Sequence, residues 1–385
     1  MVGETYNHLG NYSDWVSEAQ NQTVLYPRVE SGEKFRRKLS KILGFTGGDE
    51  NPRDIRIEQK WEKDGLAGEW ITWWVGYGPR THAWVLRPAE VKEALPGVIA
   101  LHDHGGFKYC GKEKIAEGPG LRTQALVDWW NGAYAGRAYA NELARHGFTV
   151  LIHDTFLWGS RRFKLEDIPE QDRENGMRLY SSQMNPNKAE EEILIYNAVA
   201  GFHEHTVEKY CNLLGTTLAG VISHEDRIAL NYLASRSDVL SDYLGCIGLS
   251  GGGNRSALLL ATSEKIKAAV IIGLMSTYPG LLDHNVINHT WMLFPHGLAR
   301  YGDWPDVAAC RAPMPLLIQY DNDDELFTLQ GMQAAHERIS AHYIRMGYPE
   351  AYSSQFYSGP HKFDLAMQEA AFIWLKNSLR PGSGE

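Results

Sequence analysis

From Gly97 onward, short apolar runs alternate with helical stretches, and this alternation restricts the fold more than any other feature of the chain. Residues 97–101, 148–152, 243–249, 268–274 and 315–320 read as buried strands. Helices are expected at 134–146, over 189–236 with a break near Gly215, and at 255–262 and 331–345. Runs that stay apolar through successive positions are buried on both faces, so the pattern predicts a mostly parallel central sheet with helices on both sides, an α/β fold. Residues 54–87 differ. Short runs rich in Ile, Trp, Thr and Val, broken at Asp64-Gly65 and at 76–79, predict N-terminal antiparallel strands. Residues 1–53 read as a helical or irregular extension with one helix at Gly32–Leu43, and 54–380 as the main unit. The charged stretch 156–188, which follows the fourth strand and has few apolar anchors, is expected to be an insertion over the site.

In such sheets reactive groups collect at the carboxyl ends of strands. Gly248-Leu249-Ser250-Gly251-Gly252 lies there, directly after an apolar strand and before a helix-compatible run. A serine on that tight turn is exposed at the sheet edge, and the flanking glycines let the turn pass close to neighbouring backbone. A phosphate-binding loop is the rival reading, but no Walker lysine follows and GxGxxG is absent. A serine hydroxyl needs a base, and the base needs an orienting carboxylate. Both follow in order at strand ends: the cluster Asp321, Asp323, Asp324 after 315–320, and His361 after the strand-like run Tyr352–Tyr357.

The bulk properties narrow the partners. A formal net charge of −9, with no basic block beyond short pairs such as Arg36-Arg37, gives no footprint for nucleic acid. Apolar runs fall far short of the roughly 20 residues that span a bilayer, so no membrane partner is expected. The N-terminus lacks the apolar core of a secretory signal, which predicts a cytoplasmic protein. The four cysteines are widely separated with no CxxC pair and read as free thiols. The sequence leaves a homo-oligomer open.

Several motifs together carry a resemblance: His102-Asp103-His104-Gly105-Gly106 after the third strand, Asp154 with Gly159-Ser160-Arg161 after the fourth, the serine turn, and Gly359-Pro360-His361-Lys362-Phe363. With Asp226-Arg227, Tyr301-Gly302-Asp303 and Ala312-Pro313, they make the chain from about 54 to 379 similar to the dienelactone-hydrolase and acetyl-xylan-esterase branch of the α/β-hydrolase superfamily. The resemblance implies an α/β-hydrolase fold and a serine esterase using Ser250, Asp324 and His361, with no cofactor and no metal. Dienelactone hydrolases proper carry a cysteine nucleophile where this chain has Ser250. Asp324 follows from aligning Phe327 with the family's acid motif. Asp321 and Asp323 stay open, because Asp321 and Thr328 replace the motif's glycine and proline. The resemblance also places the oxyanion hole at the backbone amides of Gly251 and His104, with Asp103 standing where glycine is common. It further implies a small-molecule substrate, a short acyl ester of a carbohydrate or other polar alcohol. Trp158, Arg161 and Arg162, and then Trp291, His296, Tyr301 and Trp304, are placed by this reading near the mouth of the site.

Two other classes compete. His102 and His104 form an HxH pair at a strand end, and with Asp103, His153, Asp154 and His203-Glu204-His205 nearby they suggest a metal-dependent hydrolase. No spacing among them completes a known zinc template. A non-catalytic ligand-binding relative is the third, against which an ordered Ser, Asp and His count.

Overall fold

A computed structural model describes residues 6–30, 32–45, 48–120, 122–182 and 190–380. After helices α1 (Asp14–Gln22) and α2 (Gly32–Leu43) come strands β1 (Arg53–Lys63), β2 (Leu66–Trp74), β3 (Thr81–Pro88) and β4 (Leu95–Leu101). Helices α3 (Gln124–Ala133) and α4 (Tyr139–Arg145) precede β5 (Thr149–His153), and α5 (Glu170–Ser182), α6 (Glu191–Leu213) and α7 (Leu218–Ser235) precede β6 (Val239–Leu249). Then follow α8 (Gly251–Thr262), β7 (Ile266–Ile272), α9 (Trp304–Ala309), β8 (Leu316–Asp321), α10 (Leu329–Met346), β9 (Tyr352–Tyr357) and α11 (Leu365–Ser378).

One nine-stranded sheet, in the order β1-β2-β3-β5-β4-β6-β7-β8-β9, organises the chain. The strands from β5 to β9 pair in parallel, and β1, β2 and β3 join antiparallel at one edge through β3 and β5. Asp64 and Gly65 both adopt left-handed backbone, φ +52° and +76°, between the paired residues Lys63 and Leu66. That is the two-residue hairpin whose twist suits the flanking strands.

Period-two alternation divides the core. Ile99 and Leu101 of β4 point into a cluster with α2, α7, α8, α9 and α10. Val98 and Ala100 point the other way, into a cluster with α3, α4 and α11. Phe35, Leu39 and Leu43 of α2 sit in the first of these clusters, so part of the 1–53 segment packs into the same core as the sheet.

One expectation needs correction. The helix expected over 134–146 begins only at Tyr139. Ala135 and Gly136 are left-handed, φ +53° and +82°, and Gly136 donates to Trp130 O at 2.8 Å, so these residues close α3 and force a restart. The stretch 156–188 supplies no residue to the site cavity among its described positions, and 183–188 lie outside the described residues. Glu190 and, from α6, Ile193, Leu194 and Asn197 do line that cavity.

Candidate active site

Ser250 follows β6 with φ +57° and ψ −119°, a conformation that side chains other than glycine rarely hold. Hydrogen bonds on both sides impose it: Ser250 N donates to Ile272 O of β7 at 2.8 Å, and Asn254 N donates to Ser250 O at 2.9 Å as α8 begins. A Cβ on Gly248 would meet the backbone of Gly252, and one on Gly252 would run into Leu101 O at the end of β4. Gly252→Ala should therefore destabilise the fold by about 1–3 kcal/mol, the usual range for overpacking. Urea unfolding of the purified variant checks this, and an unchanged midpoint would contradict it.

Three other strand ends complete the site. His361, after β9, places Nδ1 2.6 Å from Asp324 Oδ2, after β8. Asp324 Oδ1 accepts from Leu326 N at 2.8 Å, which fixes the carboxylate plane. Asp321 and Asp323 face other partners, Lys362 N at 3.2 Å and Gly359 N at 2.8 Å. Asp324, the acid picked by alignment with the family motif while Asp321 and Asp323 stayed open, is the one of the three bonded to His361. His361 Nε2 is buried and has no hydrogen-bond partner among the described residues.

Burial opposes charging the His361 ring, but the hydrogen bond and charge of Asp324, followed by the charge of Asp321, outweigh it and raise the pKa above the ordinary imidazole value. Asp321 itself, desolvated at the end of β8, is pushed up to about 7. Both groups bind protons more readily in the folded chain. Their contributions to stability are therefore present at acidic pH and lost as pH rises, for Asp321 from about 4 through about 7. Asp321→Asn should flatten this part of the stability profile. Equilibrium unfolding at pH 5 and pH 8 tests it, and an unaltered difference between the two would contradict the assignment.

On the other side of Ser250, a Cβ built on Gly251 would lie 2.6 Å from His104 N, so these two backbone segments are in direct apposition. The loop after β4 is pinned by buried charge. Asp103 Oδ2 accepts from Lys114 Nζ at 3.1 Å, and its Oδ1 accepts from Tyr134 OH at 2.5 Å. Arg255 of α8 donates to His102 O at 3.2 Å and to Asp226 Oδ1 at 2.7 Å, and so ties the end of β4 to α7.

Ser250, Gly251, His104 and His361 share one cavity of about 890 Å³. Phe107, Trp129, Ile193, Leu293 and Phe327 form its apolar walls, and Asn197, Asn288 and Thr290 offer polar groups. None of the aromatics placed near the mouth by the sequence reading lines it. Trp158 and Trp304 are each 1% exposed, and Arg161 is paired with Glu225 at 2.5 Å. Trp291 and His296 instead line a separate groove against α1, and Lys38 lies over the Tyr301 ring. Phe107 and Trp129 were missed. They sit in a glycine-interrupted loop and an amphipathic helix, where sequence does not tell cavity from core.

The HxH pair is not assembled into a ligand set. His102 Nδ1 lies 3.0 Å from Asp103 O, His104 Nε2 lies 2.7 Å from Glu204 Oε2, and His153 Nε2 lies 3.0 Å from Asp226 Oδ1. Among the described residues, the group of ligand-type side chains that converges is Asp321, Asp324 and His361, within 4.8 Å of one another, which is the hydrogen-bonded His361–carboxylate cluster already described. All four cysteines are free and buried. No described helix is long and apolar enough to cross a membrane.

No protein-family model matches the chain. It is 25% identical over 325 residues to the Bacillus subtilis (strain 168) protein named "Putative hydrolase YtaP", covering 82% of this chain and 89% of that protein. Among solved structures, a "putative acetyl xylan esterase" from Bacteroides fragilis superposes with a TM-score of 0.66 at 15% identity, over 91% of this chain and 82% of the other. A glucuronoyl esterase from Solibacter usitatus gives 0.59 at 12% identity, over 89% and 91%. Acetyl xylan esterase 1 from Thermoanaerobacterium sp. gives 0.53 at 14%, over 93% and 97%. These likenesses and the sheet order establish the α/β-hydrolase fold that the sequence resemblance implied.

Proposed function

We propose that this protein is a serine esterase that cleaves short acyl, acetyl-type esters of a carbohydrate or other polar alcohol. The observation that carries the proposal is the convergence, in one cavity, of the strained Ser250 turn, the His361–Asp324 pair at 2.6 Å and the apposed backbones of Gly251 and His104. In the proposed cycle Ser250 Oγ adds to the ester carbonyl carbon and passes its proton to His361 Nε2. The Gly251 and His104 amides donate to the oxyanion, each such donor contributing about 3 kcal/mol to the transition state. His361 then gives its proton to the departing alkoxide, leaving an acyl-Ser250 ester. Water, deprotonated by the same nitrogen, attacks this ester, and the imidazolium returns that proton to Ser250 Oγ as the acyl–oxygen bond breaks and the acid leaves.

The base must be neutral to accept a proton. The raised His361 pKa therefore predicts that kcat/KM rises with pH along a limb whose apparent pKa lies above about 6.5, the ordinary imidazole value. With Asp321 close by, that limb reports the cluster rather than one ring. A pH–rate profile on a soluble acetyl ester checks it, and a limb below that value would contradict the assigned environment.

The substrate class is supported by the fold shared with acetyl xylan and glucuronoyl esterases, and by a cavity in which Trp129 and Phe107 stand beside Asn197 and Thr290. Aromatic faces stack on sugar rings, and amide and hydroxyl groups pair with their hydroxyls. Comparison of kcat/KM on acetyl, butyryl and octanoyl esters, then on acetylated sugars, tests it. Each added methylene changes discrimination by only about 1–3 kcal/mol, so the trend should be graded and highest for acetyl. Efficiency rising through octanoyl, without cleavage of acetylated sugars, would remove the carbohydrate reading.

A further inference from the structure

His104 contributes its backbone amide to the proposed oxyanion site, yet its ring is clamped at both nitrogens. Gly106 N donates to His104 Nδ1 at 3.0 Å. Because that N–H can only donate, Nδ1 is the acceptor and the ring proton sits on Nε2, which donates to Glu204 Oε2 at 2.7 Å. Gly105 and Gly106 are both left-handed, φ +53° and +65°, which lets the loop fold back far enough for this contact.

Glu204, on α6, is 6% exposed and fully engaged. Lys108 Nζ lies 2.5 Å from the same Oε2, while Oε1 accepts from Thr290 Oγ1 at 2.7 Å and from Trp291 N at 3.1 Å. Burial alone would raise the pKa of this carboxyl, but the Lys108 ammonium, then His104, bring it well below the usual carboxylate range. One carboxylate thus joins three parts of the site: α6, the loop after β4, and the segment at 290–291 that supplies Thr290 to the cavity wall.

We infer that Glu204 is a positioning residue for the oxyanion site, holding the His104 amide in place through the His104 ring. The inference rests on the serine-esterase reading. An oxyanion forms only as the carbonyl becomes tetrahedral, so a loosened His104 amide weakens transition-state binding and leaves ground-state binding unchanged.

The test uses His104→Ala, His104→Gln and Glu204→Gln in the full chain, with kcat, KM and the rate of phosphonylation by a fluorophosphonate measured for each. His104→Ala keeps the amide and removes the tether. Its kcat should fall about tenfold, less than the roughly 10²–10³ lost when a donor is removed outright, with KM within about twofold and phosphonylation slowed in parallel. His104→Gln, whose carboxamide can still donate to Glu204, should recover much of the loss. Combining His104→Ala with Glu204→Gln should cost no more than the costlier single change, since both cut one path.

A folded His104→Ala variant with wild-type kcat would overturn the inference, as would a KM increase alone, or His104→Gln no better than His104→Ala. If Glu204→Gln does not fold, because Lys108 is left buried without its counter-charge, the two His104 variants, in which the Glu204–Lys108 pair is intact, still decide. Wild-type protein that is not phosphonylated at Ser250 would instead sink the esterase reading itself, an outcome distinct from any variant result.

Discussion

Ser250→Ala should lower kcat by about 10⁶-fold, the loss seen when the nucleophile of a serine triad is removed, and should leave the fold intact. The two hydrogen bonds that hold the turn, to Ile272 O and from Asn254 N, use the backbone of residue 250 and survive the substitution. Alanine also has the Cβ that makes φ +57°, ψ −119° unfavourable, so the local strain is unchanged. Ser250→Gly provides the complementary measurement. It should be equally inactive but more stable than Ser250→Ala, because relieving strain of about 1–3 kcal/mol exceeds the entropic cost of glycine, about 0.5–1 kcal/mol. An active alanine variant would remove Ser250 from the mechanism. Equal stability of the two would mean that the turn carries no strain.

Asp324→Asn should be the second most damaging change, lowering kcat by about 10⁴-fold as in other triads whose acid becomes an amide. The carboxylate oxygen 2.6 Å from His361 Nδ1 accepts the ring proton that keeps Nε2 free as the base. An amide NH₂ at that position favours the opposite tautomer, and the charge that stabilises the imidazolium is gone. Asp323→Asn should be mild, since Asp323 accepts from Gly359 N on an exposed turn. Asp321→Asn should also be mild in kcat, because its polar contact is to Lys362 N rather than to the imidazole. Steady-state kinetics on the three variants ranks them, and a larger loss for Asp321→Asn or Asp323→Asn would move the acid to that residue.

The sequence revealed most where the signal is local. The apolar run ending at Leu249, the Gly-x-Ser-x-Gly turn and the helix at Gly251–Thr262 lie within about two dozen consecutive residues, and chain order alone supplied the acid cluster and His361. Asp324 came from alignment with the family's acid motif rather than from any local pattern. The β8–β9 register that pairs Tyr320 with Phe356 and Asp321 with Tyr357 sets which carboxylate meets the imidazole, and periodicity does not encode it. Trp158 shows the converse failure. Its position after a strand end suggested a substrate platform, but its ring packs 5.1 Å from that of His104 and 5.7 Å from that of His102, inside the support of the β4 loop. Glu204 was visible only as one of several metal-ligand candidates. Its partner His104 is 100 residues away, a separation at which sequence spacing carries no information about contact.

The most direct test of the central claim is to label the purified, metal-free protein with a fluorophosphonate and map the adduct by peptide mass spectrometry. Stoichiometric modification at Ser250 alone is expected, with loss of esterase activity in proportion to labelling and no effect of chelator. Labelling at another residue, or an esterase activity that chelator abolishes while Ser250 stays unmodified, would contradict it.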